Sequence, residues 1–272
     1  MTMRHFGNEW AMAFADIQEQ ALRHQHQVRS SGVRPLSTSS VAARWSSTHA
    51  SARAWDPPPV PTLVVVPHPD DEVLLAGGLI ATQRERGIDV HVLGVTDGEA
   101  GLPLRVPARD MAQVRRREQA EALCALGVSR LSITRLGIPD GAVAEQQPEV
   151  TQLLAAMATD FPLVVAPWTH DVHSDHEACG RAAADAVAGT PAALVFGLFW
   201  TWHRLPPDRL DPCSLVGLTI PRHIRQQRVQ AIAKHRSQIA DEIAEPLLTP
   251  ELLEPLAWDH EFFVLPDDGS PA

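Results

Sequence analysis

From Thr62 onward the chain alternates short runs of Val, Leu and Ile with longer helical patterns, and that alternation permits few folds. Runs near 62–67, 88–95, 131–136, 162–166 and 193–200 read as strands, and stretches near 73–86, 110–126, 149–158 and 176–188 read as helices. Repeated strand–helix units of this length predict a doubly wound, mostly parallel, Rossmann-like α/β sheet with right-handed crossovers and helices on both faces. Farther on, Ser214 to Ile220 suggests another strand, 221–240 a helix and Glu261 to Leu265 a short closing strand.

In such a sheet, ligands sit beyond the carboxyl ends of the strands, so the turns there are where chemistry is sought. The first is Pro67-His68-Pro69-Asp70-Asp71-Glu72, which puts one imidazole and three carboxylates directly after Val64-Val65-Val66. A second polar cluster, His170-Asp171-Val172-His173-Ser174-Asp175-His176, follows the apolar run Leu163-Val164-Val165-Ala166. No Gly-x-Gly-x-x-Gly turn follows the first strand, and acidic side chains there would repel a pyrophosphate. Carboxylate plus imidazole suits a divalent cation instead. His68, Asp71 and His176 can supply the three protein ligands of a catalytic zinc, leaving a position for water. One zinc per chain is expected, and iron(II) accepts the same donors. The His173-x-x-His176 spacing puts both rings on one helical face, so that one can bind metal while the other faces substrate.

Charge and composition narrow the partners. A net charge of -10 and the absence of a basic stripe argue against nucleic acid, and no long apolar segment predicts a membrane span. The three cysteines, Cys124, Cys179 and Cys213, are too scattered for a disulfide framework, and Cys124 and Cys179 fall in helical patterns that suit buried thiols. A soluble, cytoplasmic protein is expected. Residues 1–60 look different from 61–272, which form the expected catalytic domain. A helix is predicted over 8–28, followed over 29–61 by an extended or poorly ordered connector rich in Ser, Thr, Ala and Pro, whose Trp45 and Trp55 either clip it to the body, the favoured reading, or border a substrate cleft.

Taken together, Pro67-His68-Pro69-Asp70-Asp71-Glu72 and His173-Ser174-Asp175-His176 resemble the paired signature of the PIG-L or LmbE-like family of zinc-dependent N-acetylglucosamine deacetylases. Asp97-Gly98-Glu99-Ala100-Gly101, Arg115-x-x-Glu118, Pro139-Asp140-Gly141 and Ala231-x-x-x-His235-x-Ser237-Gln238 also resemble family features in order, so the likeness covers about 62–240. It implies His68, Asp71 and His176 as zinc ligands and Asp70 as general base. It further implies a protonated His173, oriented and kept charged by Asp175, as a holder of the oxyanion. Glu72 is expected to bond loop backbone or support a ligand. Arg115 and Asp140 resemble sugar-contacting positions, although taken alone the first fits a solvated helix face and the second a turn.

Trp200, Trp202 and Trp258 read as core anchors, yet Trp200 and Trp202 follow a strand end, where at least one indole can stack on a sugar or aromatic substrate. His235 reads as a cleft residue or a satisfied core histidine, and His170 is left outside the ligand set. The aglycone is the least constrained point. The near absence of lysine, Lys234 being alone, suits a mycothiol-type glucosaminyl inositol and an antibiotic substrate alike, whereas the tryptophan-bearing extension and the apolar 196–202 region favour a glycopeptide-antibiotic pseudoaglycone of the teicoplanin kind ahead of the inositol compound or a glycolipid. A non-catalytic carbohydrate-binding protein with a structural metal is the alternative of another class. A serine esterase lacks its Gly-x-Ser-x-Gly turn, and a two-metal phosphatase lacks carboxylates.

Overall fold

A computed structural model describes residues 40–100, 107–239 and 246–266, so the helix expected over 8–28 lies outside the described residues. In chain order the elements are α1 (Val41–Ser51), β1 (Arg53–Ala54), β2 (Thr62–Val66), α2 (Asp71–Glu85), β3 (Val90–Thr96) and α3 (Ala108–Ala125). Then come β4 (Ile133–Ile138), α4 (Gln147–Ala158), β5 (Leu163–Pro167), α5 (Ser174–Val187), β6 (Ala193–Gly197) and α6 (Trp200–Arg204). The remainder is β7 (Leu215–Thr219), α7 (Arg222–Ile232), α8 (Arg236–Ile239) and β8 (His260–Val264).

Among the described residues the eight strands form one sheet in the order β1-β7-β8-β6-β5-β2-β3-β4. All neighbours are parallel except β8, which inserts antiparallel between β6 and β7. The strand side chains alternate between two cores. Val64 and Val66 of β2 join Val90, Val92, Leu163 and Val165 beneath α2, α3 and α7. Leu63 and Val65 point the other way, with Leu93, Val95, Val164 and Ala166, beneath α1, α4 and α5. With both faces covered, β2 is buried along its whole length, and each Val or Leu so buried is worth roughly 1.5–3 kcal/mol. The chain runs from β2 outward to β3 and β4 and then returns to β5 on the other side of β2. The carboxyl ends of β2 and β5 therefore flank a topological switch point, and both polar turns leave from there.

Three expectations are corrected. The stretch 29–61 is not an extended connector throughout, because Val41–Ser51 forms α1. Two distant contacts create that helix: Glu254 accepts from the Val41 and Ala42 amides at 3.0 and 2.8 Å, and Trp45 is fully buried. The strand read over 193–200 ends at Gly197, and Trp200 opens the short helix α6. Cys124 is exposed on α3, whereas Cys179 is buried.

α1 also introduces an acid sensitivity. His49 stacks on Phe262 at 4.2 Å and meets Trp202 and Trp258 edge-on. Burial first, then the nearby His260, pushes its imidazole down to about 4 from an ordinary 6.5. The folded state thus keeps His49 neutral while the unfolded chain takes up a proton. The contribution of His49 to stability is complete above about pH 6.5 and is lost as pH falls toward 4. His203, also lowered to about 4 by burial and by Arg44, acts in the same window. Thermal midpoints followed by circular dichroism should fall between pH 7 and pH 5, and His49→Phe should flatten that slope.

Candidate metal centre

The first turn is held in an unusual backbone state. Asp70 sits at φ 128°, a conformation that costs a non-glycine residue of order 1–3 kcal/mol unless its surroundings impose it. The surroundings do. The Asp70 amide donates to Glu72 Oε2 at 3.0 Å, and the Asp70 carbonyl accepts from the Val73 and Leu74 amides. Glu72 also accepts from Gln119 Nε2 at 3.0 Å and from His235 Nε2 at 2.8 Å, with Glu72 and His235 both fully buried. His235 is thereby a core histidine with a partner. Arg115 of α3 donates to the Pro69 carbonyl at 2.6 Å, to Asp70 Oδ2 at 3.0 Å and to the Gly98 carbonyl at 2.7 Å. Gly98, at φ 66°, lets that guanidinium approach, since a Cβ there would fall on it.

The second turn leaves β5 and ends at His173, which caps α5 by accepting from the Asp175 amide at its Nδ1, 3.3 Å away. One helical turn places His176 over the sheet edge, fully buried. The two turns meet. Asp71 Oδ2 lies 3.2 Å from His68 Nδ1 and 3.3 Å from His176 Nε2, and these three donor atoms all fall within 4.8 Å of one another. Each ring gives its other nitrogen to a carboxylate. His176 Nδ1 is 2.8 Å from Asp171 Oδ2, and His68 Nε2 is 3.2 Å from Asp140 Oδ1 and 3.3 Å from Asp175 Oδ2.

That is the arrangement by which carboxylates fix the tautomer and orientation of metal-binding imidazoles. His176 Nε2 is buried and has no hydrogen-bond partner among the described residues, as expected of an atom that faces a cation. Two nitrogens and one oxygen fit a divalent ion of the zinc type. The trio His68, Asp140 and Asp175 is equally compact, but it shares His68 and uses the nitrogen already engaged by those carboxylates.

The electrostatics match a cation site. Against the opposing effect of burial, the carboxylates of Asp140, Asp175 and Asp71 raise His68 well above its ordinary value. Burial likewise opposes, but Asp71 and Asp171 raise His176 to about 9. Burial would raise Asp71, yet His176 and His68 hold it far below the usual carboxylate range. Carboxylates that favour a proton on these rings favour a cation in the same place, so proton and metal would compete for them. Asp70 behaves differently. Burial, joined by Asp71 and Glu72, pushes it up to about 6 despite Arg115 and His235.

Other sequence-predicted residues lie elsewhere or act otherwise. Burial, with His176 and His68 close by, lowers His173 to about 4, which opposes the protonated ring expected from the sequence. Asp175 does not turn its carboxylate to His173; that group faces His68 and accepts from the Gly141 amide at 2.8 Å. Arg115 is buried and bonded to the loop, so it anchors the turn and is not an open sugar contact. Trp202 is 3% exposed inside a ring cluster with Trp45, Trp258 and Phe262. Trp200 is half-buried beside His173, its ring nearly parallel to the imidazole at 6.3 Å, with the Arg204 guanidinium 3.9 Å over it. Asp140 remains at the site, its Oδ2 accepting from the Ala100 amide at 2.9 Å. His170 is exposed, outside the trio. The reading from sequence missed Asp171, five residues ahead of His176; its only signal was a carboxylate in the same turn.

This α/β sheet with a paired-turn site defines a class, and comparison with known proteins names it. The profile described as GlcNAc-PI de-N-acetylase, PIG-L, matches residues 63–187. The chain belongs to the PIG-L family. A 1D-myo-inositol 2-acetamido-2-deoxy-alpha-D-glucopyranoside deacetylase of Mycolicibacterium vanbaalenii is 30% identical, the match covering 65% of this chain and 80% of the relative. A probable N-acetyl-alpha-D-glucosaminyl L-malate deacetylase 2 of Bacillus cereus is 31% identical over 47% of this chain, and the chain spans 61% of that relative's length. For the Bacillus subtilis counterpart the share is 59%. Among solved structures, a deacetylase of the teicoplanin biosynthesis pathway superposes with a TM-score of 0.62 at 20% identity, covering 77% of this chain and all of that one, which is a likeness of fold.

Proposed function

We propose that this chain is a zinc-dependent deacetylase acting on an N-acetylglucosaminyl glycoside. The observation that carries the reading is the convergence of His68, Asp71 and His176 from two turns, beside a carboxylate, Asp70, that lies outside the donor trio. Relatives named as deacetylases of glucosaminyl inositol and glucosaminyl malate compounds support it.

A divalent ion held by these residues would polarise the amide carbonyl and acidify water. Asp70 takes the proton of the attacking water; burial, with Asp71 and Glu72 close by, raises its carboxyl, which strengthens it as a base. Arg115 fixes its Oδ2, so the base is aimed before substrate arrives. His173, neutral and accepting at Nδ1, carries its hydrogen on Nε2 and offers it as a hydrogen bond to the developing oxyanion, keeping the proton. Asp70 then returns its proton to the leaving amine.

A small polar aglycone is favoured over a glycopeptide. The apolar platform expected from 196–202 is reduced, because Trp202 is buried and one face of Trp200 is covered by Arg204. The teicoplanin likeness is one of fold at 20% identity, whereas the inositol-glycoside relative is 30% identical.

Zinc-loaded protein should be incubated with N-acetylglucosaminyl inositol, N-acetylglucosaminyl malate, diacetylchitobiose and a glycopeptide pseudoaglycone, and the products read by mass spectrometry. At least one compound should exchange acetyl for hydrogen, with the activity lost to a chelator and restored by zinc. Bound zinc with no turnover anywhere would favour a carbohydrate-binding module instead.

A further inference from the structure

We infer that helix α1, which precedes the family-matched residues 63–187, braces the metal centre, with Trp45 and Thr201 as its positioning residues. The inference rests on the metal-centre reading and concerns what keeps His176 aimed. Starting at the ring, His176 Nδ1 is 2.8 Å from Asp171 Oδ2. Asp171 is fully buried, so its second oxygen needs donors too. It has three: the Phe199 amide at 3.2 Å, the Thr201 amide at 2.9 Å and the Thr201 hydroxyl at 2.6 Å. All three come from the first turn of α6 and the residue before it, beyond the matched region.

α6 has only five residues and cannot hold its own position. Trp45 holds it. The Trp45 indole N–H donates to the Trp202 carbonyl at 2.9 Å, and its ring meets Trp202 edge-on with centroids 5.0 Å apart. Arg44 donates to the same carbonyl. α1 is fixed in turn by the Glu254 carboxylate on its first amides and by His49 stacked on Phe262 of β8. A continuous path therefore runs from β8 and Glu254 through α1 and α6 to Asp171 and the ligand His176. Its middle members are buried, so a shift in α1 has no solvent gap in which to be absorbed.

Carboxylates that orient metal-binding histidines typically contribute 10–100-fold to metal affinity, which sets the scale of the test. Trp45→Ala would empty a large buried volume and risks unfolding, so the conservative variants are Trp45→Phe, which removes the N–H but keeps a ring, and Thr201→Val, which removes one donor to Asp171. Neither touches a ligand. Zinc affinity is measured by chelator competition on the full chain, and the visible spectrum of the cobalt(II)-substituted protein reports ligand geometry without any substrate. Thr201→Val should weaken zinc by about 10-fold and Trp45→Phe by about 3-fold, both with altered cobalt bands and native circular dichroism. The double variant should lose less than the product of the two, because they act on one path. Wild-type affinity and spectrum in both variants would overturn the brace. A wild-type chain that binds neither ion would instead overturn the metal centre on which it rests.

Discussion

Asp70→Asn is expected to lower acetate release by about 10³-fold while leaving one zinc per chain, within the 10²–10⁴-fold range of general acid–base catalysis. The variant separates chemistry from structure unusually well at this position. Asp70 lies outside the compact trio His68, Asp71 and His176, so the ion's protein donors are untouched. Asparagine is among the residues that best tolerate positive φ, so the 128° backbone and its bonds to Glu72, Val73 and Leu74 persist. The amide oxygen can still accept from Arg115, as Asp70 Oδ2 does at 3.0 Å. What disappears is the proton acceptor near 6. His176→Ala is the contrasting variant: it removes a ligand, so zinc content and turnover should vanish together. Metal content by mass spectrometry and acetate release by a coupled assay decide the matter, and near wild-type turnover in Asp70→Asn would remove that residue from the role of base.

The parts that could be read from sequence are those set by local pattern. β2, β3, β5, α2, α3 and α5 fall within a few residues of their predicted bounds, because continuous apolar runs and helical spacing are short-range signals. The switch point follows from the same alternation, and it explains why His68, Asp71 and His176, 108 residues apart at the extremes, come together. What escaped depends on distant partners. α1 forms in a stretch of weak composition because Glu254 caps it and Trp202 receives Trp45. Trp200 and Trp202 part company because a helical turn, not a strand, carries them, sending one to the site rim and the other into a ring cluster. Arg115 has the charge of a sugar contact, but its position on α3 aims it under the turn. Asp175, expected to serve His173, faces His68 instead, and Asp171, to which the sequence assigned no part, serves His176.

Gly180→Ala tests how tightly the second turn is built, and its sign is diagnostic. At an open helical position alanine in place of glycine gains about 0.5–1 kcal/mol, since glycine loses more conformational freedom on folding. Gly180 is not open. A Cβ there would lie 2.5 Å from the Pro167 carbonyl oxygen and 3.0 Å from the Thr169 amide nitrogen. Both are backbone atoms, one at the end of β5 and one in the turn that follows it, so no rotamer change can relieve the contact, and overpacking of this kind costs about 1–3 kcal/mol. α5 must back away from the strand. His176 lies four residues before Gly180 on the same helical face, so that movement draws its ring from Asp71, now 3.3 Å away, and from Asp171. The expected result is a lowered thermal midpoint in the apo chain together with zinc affinity weakened by about 10-fold, comparable to losing a residue that orients a ligand. A raised midpoint with unchanged zinc binding would mean that α5 and β5 do not approach this closely, and that the donor trio is held by something other than the packing of that helix on its strand.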